Sequence, residues 1–167
     1  ITLPQKFIKV MMIFGKKMSK SNFRRNYHST SLLLPDGRIF VAGGDVWNAQ
    51  FFYPPYLFAK NSNGKTILAK RPKIEKLKKI ISNRKMQTML VDDSSDIEKI
   101  SLISTGSTTH AQASELKYLS LDFTKTSKNE IRFSIPEDKS TLTDGTYLIF
   151  IVSSSGIPSE GKITYIK

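Results

Sequence analysis

Apolar positions along the chain come in short runs, rich in β-branched and aromatic side chains and broken by Gly, Pro, Asn, Asp and Ser. Helical spacing is scarce. Short runs of this kind bounded by turn residues predict strands, because β-branched and aromatic side chains fit a pleated, half-buried surface. Strands are expected near 6–14, 27–34, 38–42, 49–53, 86–91, 98–104, 116–121, 130–135, 146–152 and 162–167. The sharpest local signal is a hairpin: Ser31-Leu32-Leu33-Leu34, then Pro35-Asp36-Gly37-Arg38, then Ile39-Phe40-Val41-Ala42. Pro35 presets φ and Gly37 supplies a left-handed position, so the flanking runs fold back on each other. Asp36-Gly37 is expected to be a turn and nothing more.

Gly43-Gly44 release the second run into a loop. Residues 59–70, containing Asn61-Ser62-Asn63-Gly64, read as poor in strand, and Arg71-Pro72-Lys73-Ile74 opens a new series. A domain boundary is therefore expected at 70/71. Residues 1–70 would hold a few strands too open at their edges to be stable alone, and 71–167 six or seven short strands of an immunoglobulin-like sandwich. Pro54-Pro55-Tyr56 and Arg71-Pro72 read as rigid connectors, because proline removes backbone freedom. Trp47, the one tryptophan, reads as a partly buried loop anchor rather than a sugar contact.

Composition narrows the function classes. No run reaches the roughly 18–20 apolar residues of a membrane span, and with no Cys this stretch builds no disulfide, thiolate zinc site or cysteine nucleophile. The net charge of +12 invites a nucleic-acid reading, but its distribution argues against one. Residues 1–85 carry 18 Lys and Arg against three acids, and residues 86–167 carry eight against 11. The basic residues are scattered lysines without interleaved aromatics, so they read as solvated side chains and no nucleic-acid partner is expected. The chain opens at Ile1 without a signal-peptide pattern, which reads as processing upstream or as the tail of a longer protein.

Candidate chemistry rests on two histidines, His28 after Tyr27 and His110 after Gly106-Ser107-Thr108-Thr109. The segment Arg25-Asn26-Tyr27-His28-Ser29-Thr30-Ser31-Leu32-Leu33-Leu34-Pro35-Asp36-Gly37-Arg38 runs without gaps into Ile39-Phe40-Val41-Ala42-Gly43-Gly44. Phe52-Tyr53-Pro54-Pro55-Tyr56, Arg71-Pro72, Thr109-His110 and Gly145-Thr146-Tyr147 follow in order. Together they resemble the C-terminal portion of the galactose oxidase and glyoxal oxidase family of copper radical oxidases.

That resemblance implies an all-β chain: a C-terminal early-set, immunoglobulin-like β-sandwich preceded by the last strands of a kelch-type β-propeller. It implies copper as cofactor, with Tyr27, His28 and His110 as ligands and Tyr27 also as the catalytic base. Imidazole nitrogens with oxygen suit tetragonal Cu(II). The family's second tyrosine, cross-linked to a cysteine, forms the radical, and this stretch lacks that group. It is therefore expected to be inactive alone. Implied partners are the upstream propeller portion of the same polypeptide and a small alcohol, aldehyde or carbohydrate substrate, in a secreted or extracytoplasmic setting. Three places depart from the family pattern: Glu115-Leu116-Lys117 replaces an Asp-Gln-Arg triplet, Thr143-Asp144-Gly145 replaces Pro-Pro-Gly, and the loop after Gly44 is shorter than in members that build a substrate rim there. The alternative from a different class is a non-catalytic β-sandwich binding or structural module, or a decayed remnant.

Overall fold

A computed structural model of the chain describes residues 18–110, 112–114 and 116–167. The strand expected at 6–14 and Glu115 lie outside them. Among the described residues the fold is all-β, its single helical element a 3-10 turn at Pro55–Leu57. β1 (Ser29–Leu33), β2 (Ile39–Gly43) and β3 (Ala49–Phe52) pair antiparallel in chain order. The turn between β1 and β2 closes through Leu34 N–H to Arg38 O and Gly37 N–H to Leu34 O, both 2.9 Å. Gly37 has φ +84°, and a Cβ there would stand 3.1 Å from Leu57 Cδ2 and 3.2 Å from Arg71 Nη2. Conformation and space both call for glycine.

A second hairpin, β4 (Phe58–Lys60) with β5 (Thr66–Leu68), occupies the stretch read as poor in strand. Asn61 Oδ1 accepts from the Asn63 and Lys65 amides at 3.1 and 2.9 Å. This side-chain turn lets a short polar segment reverse, so the polarity that hid the hairpin is what closes it.

The sandwich consists of two sheets. One has the order β12 (Tyr118–Leu121), β9 (Ile97–Ser104), β15 (Gly145–Ser153), β16 (Lys162–Ile166) and β7 (Ile80–Ile81). The other runs β13 (Phe123–Ser127), β14 (Glu130–Ser134), β8 (Met86–Val91) and β6 (Ile74–Lys76). A hairpin of β10 (Ser107–Thr109) and β11 (Gln112–Ser114) stands apart from both. Residues beyond 71 thus hold more strands than the six or seven expected. β6 and β7 are edge strands of two or three residues set among lysines, a composition that protects edges and masks them in sequence.

Strand β8 alternates exposed and buried positions, turning Gln87, Met89 and Val91 inward. Met89 and Val91 meet Ile131 and Phe133 of β14, and Ile100, Leu102, Tyr147, Ile149 and Ile151 from the opposite sheet. Each such side chain contributes about 1.5–3 kcal/mol of apolar burial. On β15 the alternate residues Leu148 and Phe150 are also buried, which explains the unbroken apolar run there. Phe150 lies over Gly161, where a Cβ would come 2.6 Å from ring Cζ. At one end of the sandwich, buried Arg84 donates to Leu142 O and to Asp144 Oδ1, both at 2.5 Å. The Lys139 ammonium, with help from Arg84, holds the Asp144 carboxyl below its usual range against desolvation, which pushes the other way. Asp144, a departure from the family pattern, thus has a structural partner.

The turn between β1 and β2 is more than a turn. Arg71 Nη1 donates to Asp36 O at 2.6 Å, Nε to Pro158 O at 2.8 Å, and Nη2 to Ser159 O. Gly161 N–H donates to Pro35 O at 2.7 Å, and Tyr56 Oη to Gly37 O at 2.6 Å. Burial pushes the Arg71 guanidinium pKa down, with Glu160 and Asp36 opposing. Three carbonyls around one fork offset that desolvation. Arg71, read from sequence as a connector, is therefore the clamp between the first sheet and the sandwich. Arg71→Ala is expected to cost at least about 2 kcal/mol and to open residues 53–72 to limited proteolysis before the sandwich melts. An unchanged cleavage pattern and melting curve would show the contact to be incidental.

Candidate metal centre

Tyr27 and His28 occupy a turn just before β1, closed by Ser29 N–H to Asn26 O at 3.2 Å. His28 has φ +62°. The third position of such a turn ordinarily goes to glycine, since a Cβ in the left-handed region costs about 1–2 kcal/mol. His110 has φ +54°. It stands in the two-residue tip of the β10–β11 hairpin, where Thr109 pairs with Gln112, and tight hairpin loops demand positive φ. Among the described residues these two histidines are the non-glycine residues with positive φ. They are also the two histidines in the sequence.

The fold brings both to one place. The β10–β11 hairpin packs against β1, and the rings of Tyr27, His28 and His110 form a triangle. Ring centres lie 4.0 Å apart for Tyr27 and His28, 5.2 Å for Tyr27 and His110, and 5.4 Å for His28 and His110. The last two pairs meet edge to face, at 71° and 74°. All three side chains are exposed on this chain. Two imidazoles and a phenol brought this close together are nitrogen and oxygen donors of the kind Cu(II) takes. Among the described residues no group of three or more His, Cys, Asp or Glu side chains is placed to hold a metal ion.

Local packing holds the turn in this conformation. Gly43 and Gly44 both have φ +75°, and a Cβ on Gly43 would stand 2.5 Å from His28 O. Gly44 N–H donates to that same carbonyl at 3.3 Å. The glycine pair, read from sequence only as a strand ending, is the floor under His28. Trp47 in the following loop is fully exposed, not the partly buried anchor expected. Nothing in the sequence marked Arg25 and Asn48 as supports of this loop, although Arg25 opens the motif that carries the resemblance. A separate cleft of about 310 Å³, between Leu33 and Tyr56 on one side and Tyr118 and Phe150 on the other, includes none of the three rings.

Comparison with known families matches residues 71–166 to the galactose oxidase-like, early set domain. Galactose oxidase of Gibberella zeae is 36% identical over 154 residues, covering 86% of this chain and 22% of that protein. The chain therefore spans about a fifth of the length of this curated relative. Among solved structures it is similar to a fungal alcohol oxidase of the AA5 family in complex with copper, with a TM-score of 0.77 and 26% identity. That match covers 89% of this chain and 32% of the other.

The left-handed backbone generates a stability test. In ordinary structure Ala is more stable than Gly by about 0.5–1 kcal/mol. At positions 28 and 110 the order should reverse, His28→Gly and His110→Gly melting higher than His28→Ala and His110→Ala. Melting temperatures in the usual order would contradict a strained turn.

Proposed function

Because the chain belongs to the galactose oxidase-like early set family, we propose that it is the C-terminal part of a copper radical oxidase. In the proposed reaction an alcohol and O2 give the aldehyde and H2O2. The observation that carries this reading is the convergence of the two histidines, both held left-handed, with Tyr27. Strain of that kind, at one place and on metal-binding side chains, is the signature of a functional site.

His28 and His110 would hold copper through neutral imidazoles, and Tyr27 through its phenol oxygen. Copper, when bound, supplies a Lewis acid for the substrate oxygen and a one-electron redox partner. Tyr27 takes the hydroxyl proton of the substrate as the alcohol is oxidised. The radical-forming Tyr-Cys pair belongs to the upstream portion, since these 167 residues include no Cys. This stretch is inactive without it.

The first sheet supports a propeller upstream. Leu32, Phe40 and Phe51 share one of its faces by register, and Leu33, Ile39 and Phe52 the other. A short sheet apolar on both faces needs a layer on each side. We take residues 1–70 as the end of a kelch-type propeller and its connector, and 71–167 as the early-set sandwich. The substrate is a small alcohol or carbohydrate, in line with relatives described as a galactose oxidase and an alcohol oxidase, and the setting is secreted or extracytoplasmic.

The test uses the full-length protein, with Cu(II) affinity and peroxide release on galactose and on a simple primary alcohol. His28→Ala and His110→Ala should each weaken Cu(II) binding by about 100-fold or more and end peroxide release. Tyr27→Phe should keep most copper and lose activity by about 10²–10⁴-fold. Parental copper affinity in either histidine variant would overturn the assignment and favour a non-catalytic module.

A further inference from the structure

The left-handed turn at His28 needs something to hold it, and one side chain ties down the loop that does so. Arg25 Nη1 donates to Gly43 O at 2.9 Å and to Asn48 O at 3.3 Å, while Nη2 donates to Asn48 Oδ1 at 2.7 Å. Both ends of the 43–48 loop are thus fastened to one guanidinium. Between those anchors the loop reaches back to the site turn twice. Gly44 N–H donates to His28 O at 3.3 Å, and Asn26 Nδ2 donates to Asp45 Oδ2 at 3.0 Å. Arg25 Nε is shut from solvent with no acceptor among the described residues. The fork therefore keeps its place despite one unmet donor, through the bonds its other nitrogens make.

Resting on the copper reading above, we propose that Arg25 is the positioning residue of the Tyr27–His28 pair. It closes the 43–48 loop under the 26–29 turn and so fixes where the imidazole and the phenol point. The role demands a planar fork: one nitrogen bridges two main-chain carbonyls while the other takes the Asn48 side chain. A lysine ammonium is a point charge on a flexible stem and does not reproduce that spacing. Partners of this kind, which orient ligands without binding the metal, typically govern metal affinity by 10–100-fold.

The experiment compares the full-length parent with Arg25→Lys, Asn48→Ala and His28→Ala. It reads Cu(II) dissociation constants, the Cu(II) paramagnetic resonance spectrum, metal-free melting temperature and hydrogen exchange at the Gly44 amide. Arg25→Lys should weaken Cu(II) about 10–100-fold and change its hyperfine splitting, and should speed Gly44 exchange at least about tenfold. Its metal-free melting temperature should stay within a few degrees of the parent. Asn48→Ala should move the same readouts in the same direction by less. Parental affinity and spectrum in Arg25→Lys, where His28→Ala does lose copper, would overturn the proposal and leave the copper reading standing. If His28→Ala kept parental copper binding, the copper reading would fall, and Gly44 exchange would decide alone: faster exchange sustains the positioning role, unchanged exchange ends it. A melting temperature that drops while the spectrum stays parental assigns Arg25 to stability and also overturns the proposal.

Discussion

The candidate centre depends on the first sheet being held against the sandwich, and Arg71 does so beside the Gly161 N–H to Pro35 O bond and the packing of the β10–β11 hairpin on β1. Tyr27 and His28 come from the first sheet, and His110 from a hairpin that grows out of the sandwich between β9 and β12. The fork of Arg71 gathers Asp36 O from one side and Pro158 O and Ser159 O from the other. Each of these bonds fixes an angle as well as a distance, so the contact is directional in a way that apolar packing is not. With the turn of the first sheet pinned at one end, β1 is left alongside the β10–β11 hairpin at the other. A ring-centre distance of 5.4 Å between histidines that lie 82 residues apart in sequence follows from that alignment.

Strain at the site and glycine around it belong together. His28 and His110 adopt a conformation that favours glycine, while Gly43, Gly44 and Gly106 carry positive φ in the segments beside them. The glycines allow backbone to approach backbone, as where Gly43 sits beneath His28 O. The histidines accept a strained backbone in exchange for the direction their rings take. A site built this way gives up stability for orientation, the usual trade at positions where a metal or substrate must be met at a fixed angle.

Much of this was legible beforehand, and the reasons for the rest are specific. The Pro35-Asp36-Gly37 turn is local chemistry, so its hairpin was readable, and the strands at 86–91 and 130–134 carry clear alternation. Edge strands β6 and β7 were not, since two or three residues among lysines give no period to read. The hairpin at 58–68 was hidden by a polar turn whose key bond is made by the Asn61 side chain. Tyr27, His28 and His110 were named as candidate ligands through a family resemblance; spacing alone would have left two unrelated histidines. Their left-handed backbones, and the supports at Arg25, Asn48 and Arg71, depend on partners distant in sequence. Trp47 misled because an aromatic side chain predicts burial only on average.

The central claim is that His28 and His110 bind one copper ion together. Pulsed paramagnetic resonance of the Cu(II)-loaded full-length protein counts the imidazole nitrogens coupled to the metal. The account predicts two coupled imidazoles, falling to one in His28→Ala and to one in His110→Ala. A single coupled imidazole in the parent, or two that persist in either variant, would contradict it.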